Sequence, residues 1–242
     1  MKRAGLVCAG GVAQSFVARM PALIASIGPV KAASLRVARR IANALRCGDA
    51  VDDWAPFESC DAIWIAAPES ALDAIAAELP RGIPAIMCGT PRARSSFAIE
   101  CAATVYAIPP TERALAAEGD ARALRYLRQA CAADHRRLVK ILPSAKPLFF
   151  AGMNLAAHLT LPWIAAAVES LRAAGFSRVE ATQVVEQLGG RALRSYRKAG
   201  AKAWNAAAEN ELRRALSAAL PDARFANLYR AGIEQALEFF SD

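Results

Sequence analysis

Two polar residues inside an apolar run are the first place to look for chemistry. Asn154 and His158 are four apart, a spacing that puts two side chains on one face of a helix. An imidazole can hand over a proton near neutral pH, and an amide beside it can orient the group that receives it. Lys146, just upstream, is a second proton donor. The alternative is a histidine hydrogen-bonded within a helical core, since an unpaired buried polar group costs about 1–3 kcal/mol. A glycine turn near the N terminus offers a different kind of site. The apolar run Ala4 to Val7 enters Gly10-Gly11, and an alanine-rich amphipathic segment follows. Strand, tight turn and helix bring the amides near Ala9, Gly10, Gly11 and Val12 to the positive end of a helix, where a pyrophosphate is held. Any tight strand-to-helix turn uses glycine too, so a plain turn stays open as the other reading.

The dinucleotide fingerprint G-x-G-x-x-G/A reads here as Cys8-Ala9-Gly10-Gly11-Val12-Ala13. A cysteine stands where the first glycine is expected, and it cannot adopt every glycine conformation, which predicts an altered turn. Enzymes that use NAD place an acid about 20 residues after the glycines, on the ribose hydroxyls. No acid occurs between Ala4 and Gly48. That stretch instead holds Ser34, Arg36, Arg39 and Arg40. Hydroxyl and guanidinium groups are what a 2′-phosphate needs, so a bound dinucleotide would be NADP rather than NAD. Without one, the same residues are a solvated basic helix face.

These groups need elements to carry them. The sequence predicts a helix over Ala13 to Ile27, interrupted at Pro21, then a strand from Val30 to Ala33 and a helix capped by Ser34 and running to Leu45. Residues 51–60 read as irregular. Asp61 to Pro68 is a continuous apolar run of the kind a buried parallel strand requires, with a helix from Ser70 to Leu79 behind it. Pro84 to Cys88 and Ala103 to Ile108 are two more strands, Glu112 to Ala133 a polar-faced helix, and Leu138 to Leu142 a last edge strand. Ala66-Ala67-Pro68 and Gly89-Thr90-Pro91 are then strand ends at the edge where open α/β sheets bind ligands, small enough for a nicotinamide ribose to approach. Arg92 and Arg94 beside them either hold an acidic substrate or face water.

From about Pro143 the strand signal stops. Helices follow over Pro147 to Ala174, Arg178 to about Ala206, Glu209 to Leu220 and Asp222 to Phe240, with Gly175 ending the first of them. The fold class is therefore α/β, a Rossmann-type, mostly parallel sheet in residues 1–143, followed by an all-helical domain in residues 144–242. Arg191, Arg194, Arg197, Lys198 and Lys202 form a run with no acid between Glu186 and Glu209. It reads as an anion site, a nucleic-acid face or a solvated helix face. Only Tyr196 and Trp204 could stack on bases there, which disfavours nucleic acid.

The formal charge of +8 is spread over both halves and suits anionic small molecules at least as well as nucleic acid. All six cysteines precede Ala132, none in a C-x-x-C pair, and they read as small core residues of a reduced, cytoplasmic protein. With two histidines and no ligand spacing, no metal site is expected. The apolar start before the glycines is too short for a signal peptide. Leu148 to Val168 is 21 residues without a charge, enough to cross a bilayer, which takes about 20. Asn154, His158 and Pro162 lie within it, and a central helix buried on all sides is the preferred reading.

A small Rossmann domain followed by a helical domain resembles the 6-phosphogluconate dehydrogenase-like reductases. Within them the chain is most similar to pyrroline-5-carboxylate and ketopantoate reductase relatives, especially bacterial Rossmann-like oxidoreductases whose helical domain has no assigned substrate. The resemblance rests on Gly5 to Ala13 at the glycine turn, Cys60 to Ser70 at an "A-D-(apolar)-A-V-P-D" strand and turn, and Phe150 to Asn154 at a polar "S-N" step. It implies a nicotinamide cofactor along the C-terminal edge of the sheet, substrate between that edge and the helical domain, and a homodimer formed through the helices. The expectation is an NADP-preferring reductase of a small, possibly carboxylated, carbonyl or imine. Ala9, Gly10, Gly11, Val12, Ser34, Arg36, Ala67, Pro68 and Gly89 would line the cofactor, Asn154 would position the substrate and His158 or Lys146 would donate the proton. The rival is a non-catalytic Rossmann scaffold, a sensor or interaction protein, whose cofactor site has degenerated.

Overall fold

The computed structural model describes residues 3–9, 17–88, 101–108, 113–142, 144–204, 210, 214 and 223–240. Eight strands form one sheet: β1 Ala4–Cys8, β2 Ile27–Ala32, β3 Asp49–Ala50, β4 Ala62–Ala66, β5 Ala85–Cys88, β6 Ala102–Ala107, β7 Ala114–Gly119 and β8 Arg137–Lys140. Their order across the sheet is β3-β2-β1-β4-β5-β6-β7-β8. The first six in that order are parallel, β6 and β7 pair antiparallel, and β7 and β8 are parallel to each other. The reversal of strand order beside β1 is the topological switch of a doubly wound sheet, and the C-terminal ends of β1, β2 and β4 meet there.

Burial explains the choice of strands. Every residue of β1 and of β4 is buried, because helices cover both faces of the sheet. One face packs Leu6, Cys8, Trp64 and Ile86 against the helices α2 Leu35–Leu45 and α4 Ala121–Ala133, which bury Ile41 and Leu127. The other face packs Val7, Ile63, Ile65 and Met87 against Phe57 of a 3₁₀ turn, Ala55–Ser59, and against Leu72 and Ile75 of α3 Glu69–Glu78. Gly5 is what lets that turn sit on β1: a Cβ there would fall 2.4 Å from Phe57 Cδ1. All six cysteines are free thiols, and five are buried.

Three expectations for the sheet need correction. The strand expected from Val30 starts at Ile27, so Gly28 and Pro29 lie inside it. The pairing with β1 slips by one residue between Ala4 and Leu6, and a bulge of this kind is where a strand accommodates a proline that cannot donate. The helix expected over Glu112 to Ala133 is a strand, β7, followed by α4. Its alanines and leucine favour helix locally, yet Leu115, Ala116 and Ala117 are buried as a strand beside β6. Gly119, at φ +139°, turns the chain, and the Asp120 carboxylate then caps α4 by accepting from the Arg122 amide at 2.7 Å. The segment read as irregular contains the short strand β3 and the 3₁₀ turn.

The chain divides into two compact units, Met1–Phe150 and Ala151–Asp242. After the short helix α1 Pro21–Ile24, the remaining helices are α5 Lys146–Ala156, α6 Thr160–Ala173, α7 Arg178–Ala199 and α8 Ala223–Phe240, with a 3₁₀ turn at Gly200–Ala203. The single helix expected over Pro147 to Ala174 is broken at residues 157–159. Pro162 cannot donate to the His158 carbonyl, Leu159 N–H reaches back to Asn154 C=O, and the Thr160 hydroxyl donates to Leu155 C=O at 2.7 Å. The expectation of burial on all sides is also overturned. None of α5 or α6 is buried, and Leu148 and Leu161 are 74% and 61% exposed. Residues 146–173 pass a membrane-span test by length and composition alone, at a mean hydropathy of 1.3. The break leaves helices of 11 and 14 residues, about 16 and 21 Å, each short of a hydrocarbon core of about 30 Å. The helix expected over Glu209 to Leu220 lies outside the described residues apart from 210 and 214.

Candidate functional site

The C-terminal edge of the sheet gathers most of the residues expected to hold a cofactor. Cys8 ends β1 in register with Ala32 of β2 and Ala66 of β4. Its backbone is regular extended strand, absent from the positive-φ positions, so nothing about its conformation demands glycine. Its side chain points into the core and is 2% exposed. Burial pushes its thiol up to about 12, with Cys47 adding to the effect, so the group stays protonated and presents no charge to an anion at this edge.

Ala9 N–H donates to Ala66 C=O at 3.0 Å, which extends the β1–β4 ladder by one bond. That amide is therefore committed to the sheet. Gly10, Gly11 and Val12 lie outside the described residues, as do Gly89, Arg92 and Arg94. Ala67 is half-buried and Pro68 exposed at the end of β4, where Pro68 precedes α3 with no side-chain cap on its first amides. Small side chains at 66 and 67 leave the backbone of β4 open to close approach.

At the end of β2 the donor set is as the sequence suggested. Ser34 caps α2, its Oγ accepting from the Val37 amide at 3.4 Å, and Arg36, Arg39 and Arg40 are exposed on that helix. Lys31, on β2 itself, lies 5.3 Å from the Trp54 ring centroid and donates to Asp52 C=O, so it is tied to the neighbouring loop. Cations and a hydroxyl without a carboxylate on this helix match a phosphate better than ribose hydroxyls.

Two contacts hold the chain just beyond the glycine turn. The Asp134 carboxylate at the end of α4 accepts from the amides of Ala22 and Leu23 at 2.7 and 3.1 Å, and Arg136 donates to Arg19 C=O. Sequence reasoning missed Asp134, because its partners are over a hundred residues away and no local pattern marks it.

The candidates for proton transfer separate. Lys146 belongs to the first unit, where its Nζ pairs with Glu118 Oε1 at 2.5 Å and stands 5.8 Å from the Tyr106 ring centroid. Tyr106 donates to the same carboxylate at 2.8 Å, and burial first, then Glu118, raises its phenol above the ordinary value. Phe150 meets the Tyr106 ring edge-on and Phe149 meets it at a tilt, with ring centroids 5.2 and 5.8 Å away. Lys146 thus fastens the start of α5 to β7, a role invisible while β7 was read as helix. Asn154 lies near the end of α5 and His158 in the turn after it, both exposed rather than on a buried face. The basic residues of the run are all exposed, Arg191, Arg194, Arg197 and Lys198 on α7 and Lys202 in the 3₁₀ turn after it. Among the described residues no cluster of three metal-ligating side chains occurs.

No protein-family model matches the sequence, and no curated protein matches it at a significant level. Solved structures do match. Protein TM1727 from Thermotoga maritima superposes with a TM-score of 0.72 at 13% identity, covering 98% of both chains. A variant imine reductase from Myxococcus stipitatus in complex with NAD+ gives 0.63 at 12% identity over the whole of both chains. A 1-pyrroline-5-carboxylate reductase from Streptococcus pyogenes gives 0.59 at 13% identity, covering 99% of this chain and 98% of that one. The chain has the fold of these proteins. A Rossmann sheet followed by a helical C-terminal region, expected from sequence patterns, is what the structure contains.

Proposed function

We propose that this protein is an NADP-dependent reductase of a small carbonyl or imine compound. The observation that carries the reading is the donor set at the end of β2, with Ser34 and Arg36, Arg39 and Arg40 on one helix at the switch point of the sheet. It is supported by a fold shared with an imine reductase bound to NAD+ and with a pyrroline-5-carboxylate reductase. The dinucleotide would lie along the C-terminal edge of the sheet, its adenosine 2′-phosphate against Ser34 and Arg36 and its nicotinamide ribose near Ala67 and Pro68. When bound, the cofactor supplies the hydride.

This chain's own residues do the rest. Gly10, Gly11 and Val12 would offer amides to the pyrophosphate, while the Ala9 amide keeps its place in the ladder. His158 is the proton donor to the reduced carbonyl oxygen or imine nitrogen, and Asn154 the residue that orients it, both free to meet a ligand because neither is packed away. Lys146, held by Glu118, fastens the start of α5 and takes no part in the proton transfer. The substrate is small, and an acidic group on it would find the net positive charge of the chain favourable. The protein works as a homodimer formed through the second unit, where Leu155, Leu161, Trp163 and Ile164 are exposed.

Stopped-flow fluorescence with NADPH, and turnover with a panel of cyclic imines and 2-oxo acids, tests the reading. His158→Ala is expected to lower kcat by about 10²–10⁴-fold while leaving NADPH affinity unchanged. Cofactor binding with no turnover on any member of such a panel would favour the non-catalytic scaffold.

A further inference from the structure

A cavity lies at the other end of the sheet from the candidate cofactor edge. It encloses about 320 Å³ and is lined by Asp61, which precedes β4, by Pro84, which precedes β5, and by Arg122, Arg125, Tyr126 and Gln129 of α4. These strands begin where the cavity sits, so β4 separates it from the cofactor edge by five residues, about 17 Å. Its size is at the small end of ligand pockets and is too small for a dinucleotide.

The lining converges for a reason that the helix period makes plain. Residues three, four and seven apart share a face of a helix, so Arg122, Arg125, Tyr126 and Gln129 form one stripe. Three of the four are exposed, whereas Tyr126 is 9% exposed. Its hydroxyl is buried, and its proton has no acceptor among the described residues. Such a group normally costs about 1–3 kcal/mol, a cost that a ligand accepting its proton would remove. Burial raises the phenol above its ordinary value, the Trp64 N–H that hydrogen-bonds to it opposes the shift and Asp61 adds to it, so the hydroxyl keeps its proton. Two guanidiniums, a phenolic O–H and a carboxamide are a donor set for an oxyanion. The carboxylate of Asp61, also in the lining, repels a ligand that offers only negative charge and suits one that also carries a hydroxyl or ammonium group.

We propose that this cavity is a second ligand site, which holds the phosphate or carboxylate of a small, donor-bearing molecule through Arg122, Arg125 and the Tyr126 hydroxyl. The site stands whether or not the C-terminal edge binds NADP, since no residue is shared between them.

Thermal melts of the full chain, without dinucleotide, test it with phosphoserine as the phosphate probe and serine as the carboxylate probe, against chloride at matched ionic strength. At ten times its Kd, the probe that binds is expected to raise Tm by roughly 3–5 °C. The Arg122→Ala/Arg125→Ala variant should lose that rise, and Tyr126→Phe should need at least several-fold more probe to reach it. Arg36→Ala/Arg39→Ala should keep it. Because the arginines are on the surface, their variants should melt cooperatively in chloride alone. Tyr126→Phe removes a hydroxyl whose proton has no acceptor and should melt as cooperatively as the parent in chloride alone. No rise with either probe would overturn the proposal. So would a rise unchanged in the Arg122/Arg125 variant, which would place the anion elsewhere, at the Ser34–Arg36 end of β2 for example.

Discussion

The two units of this chain bury their side chains very differently. In Met1–Phe150, the sheet has a packed apolar layer on each face, with Trp64, Phe57, Leu6 and Leu127 at or near zero exposure. In Ala151–Asp242, the buried hydrophobic residues among those described are Ala181 and Ile233. Leucines at 155, 161, 188 and 193 are exposed. The homodimer proposed above would cover that apolar surface, whereas the first unit packs an apolar core of its own. The same division separates the candidate chemistry: Ser34 and Arg36 are on the first unit, and Asn154 and His158 are on the other.

The largest effect should come from breaking the apolar surface of the second unit. Leu161→Glu with Ile164→Glu is expected to weaken self-association by at least about a hundredfold in sedimentation velocity and to leave the first unit folded. A native chain that sediments as a monomer at all accessible concentrations would contradict the contrast. Next in size is a substitution inside the first unit. Gly5→Val drives a side chain into Phe57 and should cost roughly 1–3 kcal/mol in urea unfolding. Cys8→Gly should leave cofactor affinity within about threefold, because position 8 is ordinary strand and needs no glycine. A gain of binding on that change would mean that the cysteine blocks the site.

A smaller effect is expected where the two units meet in sequence. Lys146→Met leaves the Glu118 carboxylate with Tyr106 alone and should destabilise by about 1–2 kcal/mol, with kcat preserved. Loss of turnover without loss of stability would return Lys146 to the list of proton donors. The smallest effect is on alkaline stability. The Cys8 and Cys131 thiols are each pushed up to about 12 by burial, from 9.0. A folded-state value above the unfolded one means that the stability is complete below about pH 9 and is lost as pH rises from there towards 12. Cys131→Ala should flatten that alkaline limb in melts across pH 8 to 11.

How much of this was legible in the sequence follows from where the signals are local. The buried strands at 62–66 and 85–88 announce themselves as apolar runs between breakers, and Ser34 as a cap, because each depends on its neighbours in the chain. The strand at 114–119 was hidden, since Ala114 to Ala117 favours helix and only pairing with β6 makes it a strand. That error also concealed Glu118, and with it the reason Lys146 is held. The Tyr126 cavity needs β4, β5 and α4 together, and no spacing within one segment shows it. At the glycine turn the motif suggested four amides for a pyrophosphate, but the ladder bond from Ala9 to Ala66 emerges only when the strands are paired.

Binding of NADPH and NADH to the full chain, followed by nicotinamide fluorescence for the parent and for Arg36→Ala, bears most directly on the proposed function. The parent should bind NADPH at least about tenfold more tightly than NADH, and Arg36→Ala should erase most of that preference while leaving NADH affinity unchanged. Equal binding of the two cofactors, or a preference for NADPH that survives in Arg36→Ala, would contradict the role given to the end of β2. Binding of neither would contradict the reductase itself.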